Sequence, residues 1–272
     1  MKNNCLACNE SKCLVYFREK DKILSCEKCG AIFTENEESA TKFFYHEENR
    51  DPSLFQKIMI NIRGYSLKRN SEAYTKYLKL KTNMKFNNAL DIGTNYGHLV
   101  KYFTKIGIDT YGIESEQYLV KLANSKRIKW AYFDKDYQSD IKYDLICLTQ
   151  MLYYQRDSYA ILEKIKEMLS PEGLIFIATI NPQSSIIRNQ LREKLPTYGA
   201  NMIFSKKNFE SLEEKLGLKM LDYTEYRSNL GYDYHTGKNR VLVFLKYFLK
   251  IKKAVISDPD GNFAFVLFKP IK

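Results

Sequence analysis

The sequence predicts an α/β fold: a seven-stranded, mostly parallel sheet with helices on both faces, preceded by a small cysteine-rich module. Three observations carry this. From residue 88 onward, apolar runs of strand length alternate with amphipathic stretches of helix length, the pattern of a parallel sheet covered on both sides. The first run, Asn88-Ala89-Leu90-Asp91-Ile92, breaks at Gly93-Thr94-Asn95-Tyr96-Gly97, and the next strand, Tyr111-Gly112-Ile113-Glu114, ends in an acid. Ahead of this domain, five of the six cysteines lie within the first 29 residues.

The elements follow in order. A helix over 96–106 should bury Leu99, Val100, Phe103 and Ile106, and one over 116–126 should bury Leu119, Leu122 and Ala123. The third and fourth strands are expected at 128–133 and 143–149, then a helix at 157–168 stopped by Ser170-Pro171-Glu172-Gly173, then a fifth strand at 174–180. Asn181-Pro182 opens an irregular segment to about residue 204. Ser205 is a good N-cap for a helix over 206–216 that Gly217 ends. Strands at 219–226 and 262–268 should form an antiparallel edge pair, separated by an insertion at about 227–258 that is too long for a hairpin.

Glycine frees the backbone for conformations closed to other residues and lets a ligand approach the main chain, which is why Gly93 and Gly97 matter between a strand and a helix. Asp91 stands where the strand ends. Glu114 lies 23 residues further on, about where an acid on the neighbouring strand takes both ribose hydroxyls. These residues predict a nucleoside held between two strands. The loop reads D-x-G-x-N-x-G, with Asn95 in place of the middle glycine of G-x-G-x-x-G and no Lys-Ser/Thr pair, so a pyrophosphate cradle is not indicated.

On these residues the chain resembles the class I S-adenosylmethionine-dependent methyltransferases, and the D-I-G-T-N-Y-G loop is similar to that of sugar-modifying members. The resemblance spans residues 86–226, with later landmarks in Tyr143-Asp144-Leu145-Ile146 and in the stretch from Leu169 to Ile177. It implies a Rossmann-like fold with S-adenosylmethionine on Asp91, Gly93, Asn95, Gly97 and Glu114. It also implies Phe133 and Asp134 at the adenine, with Asp136 as a competitor, and Gln150 facing the methyl group at the end of the fourth strand. Many relatives have an acid and a histidine there, as in D-V-L-E-H. This chain has Gln150-Met151-Leu152-Tyr153-Tyr154, so the base is not identified by that motif. Candidates are Tyr153 and the three histidines. His235 sits in the polar, aromatic loop Gly231-Tyr232-Asp233-Tyr234-His235-Thr236-Gly237, and His46 follows Tyr45 in a region that packs over the cofactor in related enzymes. His98, just inside the first helix, reads as a capping or packing residue.

The pairs Cys5-x2-Cys8 and Cys26-x2-Cys29, 17 residues apart, have the spacing of a zinc ribbon over residues 1–36, with Val15-Tyr16-Phe17 pairing with Lys22-Ile23-Leu24. Gly30 permits the turn after the last ligand, and Cys13 is the spare thiol. So small a module cannot bury enough apolar surface to fold unaided. Zinc supplies about 10–16 kcal/mol in small fingers, and four thiolates leave no open position for water, so the metal is expected to be structural. Similar methyltransferases acting on deoxysugars carry such a module in front, which implies a substrate-side or scaffold role. Residues 37–85 read as an acidic linker and a helical cap that includes Phe43, Phe44, Tyr65, Tyr74, Tyr77 and Leu78.

The chain carries 43 Lys and Arg against 32 Asp and Glu, a formal charge of +11. Such an excess suits nucleic acid, but the basic residues are scattered and mostly Lys, which favours a solvated surface over a binding stripe. No run reaches 18 apolar residues and no apolar signal core opens the chain, so a cytoplasmic protein without disulfides is expected. The function expected is methyl transfer to a small molecule, foremost a sugar or nucleotide-linked sugar. The alternatives are an RNA methyltransferase, for which Asn181-Pro182-Gln183-Ser184 does not supply the N-P-P-Y/F tetrapeptide, and a cofactor-binding protein without catalysis. Residues 239–256 read as an inserted helix with two fates: a lid burying Leu242, Leu245 and Leu249, or an interfacial helix holding Lys250, Lys252 and Lys253 over anionic lipid.

Overall fold

The computed structural model describes residues 4–18, 21–34, 70–155, 157–192, 200–228 and 255–271. His46, His235, Tyr45, the linker and most of the cap lie outside the described residues, as does the helix expected at 239–256 apart from its last two positions. Those two, Val255 and Ile256, belong to a strand (Val255–Ser257), because the backbone there pairs with the free edge of the preceding strand at Arg227 and Ser228.

The module comes first. Strands β1 (Cys13–Arg18) and β2 (Asp21–Cys26) pair with Val15 opposite Leu24 and Phe17 opposite Lys22, the register expected, and β3 (Ile32–Thr34) adds a third strand.

The large sheet contains β4 (Asn88–Ile92), β5 (Asp109–Glu114), β6 (Ile128–Trp130), β7 (Tyr143–Thr149), β8 (Leu169–Ile180), β10 (Leu218–Ser228), β11 (Val255–Ser257) and β12 (Phe263–Pro270). Their order is β11-β10-β12-β8-β7-β4-β5-β6. Strands β4 to β8 run parallel, while β12, β10 and β11 are antiparallel additions, so the short β11 extends the seven-stranded sheet by one edge. Leu145, Ile146, Cys147 and Leu148 are fully buried, as central strands covered on both faces require.

On the faces lie α1 (residues 70–81), α2 (His98–Lys105), α3 (Gln117–Ala123), α4 (Ser158–Glu167), α5 (Ser185–Arg192), α6 (Lys206–Glu210) and α7 (Leu212–Leu216). Helix α1 lays Tyr74 and Tyr77 against Phe176 and Phe265 of β8 and β12, with ring centroids 5.1–5.7 Å apart.

Several elements differ from expectation. Helix α3 is shorter and fully buries none of its residues, since it covers only the end of the sheet beside β6; Leu119, Leu122 and Ala123 are half-buried. Ile106 is exposed because α2 ends before it. Ser170-Pro171-Glu172-Gly173 does not end a helix in a turn but begins β8, where Leu169 pairs with Tyr143 before a register shift. The third strand stops at Trp130. The 206–216 helix breaks at Ser211 into α6 and α7. The segment after Asn181 is not irregular throughout. Asp260 accepts from the Ser185 N–H at 2.6 Å at the start of α5, and Met202–Ile203 forms β9 against β3.

Candidate functional site

The carboxyl ends of β4, β5 and β7 open into a cavity of about 820 Å³, toward the upper end of the ~300–1,000 Å³ of small-molecule sites. Its floor is the glycine turn. Gly93, Asn95 and Gly97 all have positive φ (71°, 54° and 69°), and the N–H groups of Gly93 and Thr94 both donate to the Ile113 carbonyl at 2.8 and 3.0 Å. These bonds tie the loop to β5. Gly93 and Asn95 line the cavity, whereas Gly97 does not: it faces Ile128, whose Cδ1 would lie 2.2 Å from an added Cβ and would have to shift, and its positive φ strains any other residue there.

The two acids flank this loop. Glu114 is buried, and its carboxylate accepts the Asn95 N–H at 2.7 Å through Oε2 and the Glu116 N–H at 3.1 Å through Oε1. Oε1 also accepts the Ser115 hydroxyl at 3.4 Å, whereas Oε2 retains a lone pair, so the pre-oriented carboxylate can take one hydroxyl directly and a second in exchange for the long Ser115 bond. Asp91 is 1% exposed, accepts the Thr94 hydroxyl at 2.7 Å through Oδ2, and has no partner for Oδ1. Burial pushes its carboxyl up to about 7; the Thr94 hydrogen bond opposes this and the charge of Glu114 adds to it. A cationic group brought to Oδ1 would favour the carboxylate. A ligand with an amine at one end and a ribose diol at the other, as in S-adenosylmethionine, therefore fits these two acids.

The remaining predicted residues take up places around the same cavity. Phe133 is buried and Asp134 exposed beside it, both on the wall; Asp136, whose N–H donates to Asp134 Oδ1 at 3.0 Å, does not line it. Gln150 has a positive φ of 60°, and its N–H donates to the Ala178 carbonyl at 2.7 Å. Its Oε1 accepts the Tyr153 hydroxyl at 3.2 Å. Burial raises the phenols of Tyr74, Tyr154 and Tyr226 above the ordinary tyrosine range, so at neutral pH these rings donate hydrogen bonds and do not take protons.

Three further polar residues on the wall bear on its chemistry: His98, a base candidate read foremost as a cap or packing residue, and Asn70 and Asn201, which the sequence did not single out. His98 is not a cap, a position Gly97 holds without a side-chain bond. Its ring lines the cavity with Nε2 buried and unpartnered, and burial, with the charge of Lys101, lowers its pKa below the ordinary histidine value. Asn70, at the start of α1, also lines the cavity with Oδ1 buried and unpartnered. Asn201, next to β9, was hidden in a stretch with no periodicity.

Outside the cavity, the sulfurs of Cys5, Cys8, Cys26 and Cys29 lie within 4.8 Å of one another, with Cys5–Cys29 and Cys8–Cys26 both at 3.6 Å. A tetrahedral zinc with bonds of about 2.3 Å sets its sulfurs about 3.8 Å apart, so the four thiols fit that ion. Cys13 stays outside the group, its thiol turned to the Glu10 carbonyl.

A family model described as "Methyltransferase domain" matches residues 63–223. No curated protein matches the chain. Among solved structures, the fold is similar to an S-adenosylmethionine-dependent methyltransferase from Clostridium acetobutylicum ATCC 824, at 12% identity and a TM-score of 0.52 over 75% of this chain and 92% of that one. It is similar to the plantazolicin methyltransferase BpumL in complex with SAH, at 17% identity and a TM-score of 0.52 over 86% and 94%. A third is a SAM-dependent methyltransferase from Thermotoga maritima, at 13% identity and 0.51 over 78% and 96%.

Proposed function

We propose an acceptor class for this chain, which belongs to the methyltransferase domain family: it transfers a methyl group from S-adenosylmethionine to a small polar molecule, foremost a sugar or nucleotide-linked sugar. The observation that carries this is the polar and aromatic lining of the cavity besides the two acids and the glycine turn. Asn70, Tyr74, Gln150, Tyr153, Tyr154 and Asn201 belong to it, three amides and three phenols lining one half-open space. Aromatic faces cover the apolar face of a pyranose ring, and amides can both donate to and accept from its hydroxyls. Lys135, beside Asp134, is the one lysine or arginine among the described lining residues.

The cofactor supplies an activated methyl on a sulfonium. The chain's residues bind and orient. Glu114 holds the ribose hydroxyls, Asp91 the amine, and Phe133 with Asp134 the adenine, while Gln150, fixed by Tyr153, aligns the acceptor atom. His98, with Nε2 buried and unpartnered, is the one described histidine on the wall and remains a candidate for receiving the acceptor's proton. Zinc on the four cysteines is a structural ion in this reading.

Incubation with methyl-labelled S-adenosylmethionine, a panel of nucleotide-linked sugars, and bulk RNA separates the readings. Label should enter the sugar fraction, with RNA binding weak and falling steeply with salt. Label entering RNA would overturn the small-molecule assignment.

A further inference from the structure

The cysteine module does not merely precede the catalytic domain; it is built into it. Strand β3 pairs with β9, Ile32 opposite Ile203 and Phe33 opposite Met202, so one four-stranded sheet, β1-β2-β3-β9, is shared by the module and the domain. The ligand turns are anchored as well. The Ala7 carbonyl, between Cys5 and Cys8, accepts Tyr159 Oη at 3.0 Å and Lys215 Nζ at 2.9 Å, and the Cys29 carbonyl accepts the Ser205 hydroxyl.

From β9 the connection continues to the cavity wall. Thr34 of β3 donates its N–H to the Asn201 carbonyl at 3.1 Å. Asn201 in turn donates its own N–H to the Tyr153 carbonyl at 2.7 Å and its Nδ2 to the Tyr154 carbonyl at 2.6 Å. Tyr153 is packed in one buried cluster with Ile23 and Ile32 of the module, together with Ile180, Ala200 and Ile203. Its hydroxyl reaches Gln150. A short 3₁₀ turn (Leu152–Tyr154) is thus held from behind by hydrogen bonds from Asn201, itself bonded by Thr34 of the module, and by apolar packing with Ile23 and Ile32 of the module, while Tyr153 and Tyr154 line the cavity. The acids that hold the cofactor, on β4 and β5, share none of these bonds.

We propose that the metal module supports, from behind, the Tyr153–Tyr154 turn that lines the acceptor end of the cavity, with Asn201 as the positioning residue through which metal occupancy sets that turn. The proposal rests on the acceptor end being where the preceding section places it. A four-thiolate site that loses its ion loses the fold of its turns, and β3 then no longer holds Asn201. The cofactor end keeps its geometry, so acceptor recognition is zinc-dependent and cofactor binding is not.

Amide hydrogen exchange on the full-length protein tests this without any acceptor. In Asn201→Ala, which keeps the backbone bonds of residue 201 and removes the one from Nδ2 to the Tyr154 carbonyl, the Tyr154 and Gln155 amides, which close the turn onto Met151 and Leu152, should exchange up to about tenfold faster, as the loss of one hydrogen bond implies. Zinc content, the exchange of residues 93–95 and 114–116, and affinity for S-adenosylhomocysteine should stay within about twofold, a localisation that a merely structural role would not give. Removing zinc from the wild-type chain by chelation should produce the same acceleration at 154 and 155, and restoring zinc should reverse it. Ile32→Ala, with zinc retained, should give an intermediate effect. Chelation that deprotects the cysteine turns while residues 152–155 keep their protection would overturn the proposal. So would an Asn201→Ala chain that loses cofactor affinity in parallel with the turn. Either failure leaves the acceptor class to the methyl-transfer assay, which reads it independently.

Discussion

Replacing Glu114 with alanine is expected to weaken binding of S-adenosylmethionine roughly 10- to 150-fold, which is the loss of about 1.5–3 kcal/mol that a charged acceptor contributes to a hydrogen-bonded partner. The structure shows why the effect should be this large. Glu114 is held by two backbone N–H groups at the end of β5, so its oxygens are oriented before any ligand arrives and little ordering remains to be done. Alanine also strips the Asn95 N–H of its acceptor beside the glycine turn, loosening the loop that Asp91 flanks. Calorimetry reads the change directly. Equal affinity in the variant would remove Glu114 from the site.

The second large effect is expected at Cys26. Alanine there should abolish the one zinc bound per chain and unfold residues 4–34, because structural zinc in small modules contributes about 10–16 kcal/mol, comparable with the ~5–15 kcal/mol by which whole domains are stable. The damage should not stay local. Cys26, Cys29 and Cys5 belong to the same buried cluster as Phe204, Phe209 and Leu212 of the catalytic domain, so the melting temperature of the whole chain should fall. Metal analysis and thermal unfolding check this together. An unchanged zinc content would mean that the four thiols are not its ligands.

The core of the fold was legible because its signals are local. Alternating strand and helix patterns placed β4 to β8, and the ribbon hairpin came out in register because a two-residue cysteine spacing fixes where each turn must sit. That Asp91, Gly93 and Glu114 come together around one cavity was legible for a similar reason: the two acids sit at strand ends, and strand ends are where a parallel sheet presents its ligand groups. What escaped depends on tertiary partners. Nothing near Pro171 announces that the backbone there continues β8, since that is settled by Tyr143 on a neighbouring strand. Asn201 lies in a stretch without periodicity and gains its role from Thr34, Tyr153 and Tyr154, all distant in sequence. His98 read as a packing residue because a helix start commonly needs one, and only the cavity shows which way its ring faces.

The most direct test of the central claim, that this cavity holds a methyltransferase cofactor between two acids, is calorimetric titration with S-adenosylhomocysteine across pH. In the free protein Asp91 takes up its proton near pH 7, and the ligand's amine favours the carboxylate. Binding should therefore be tightest above that pH and weaken as pH falls, approaching about tenfold per pH unit once Asp91 is largely protonated. One site per chain with that dependence is the predicted result. No binding of S-adenosylhomocysteine at any pH, with tight binding of a nicotinamide dinucleotide in its place, would contradict the account.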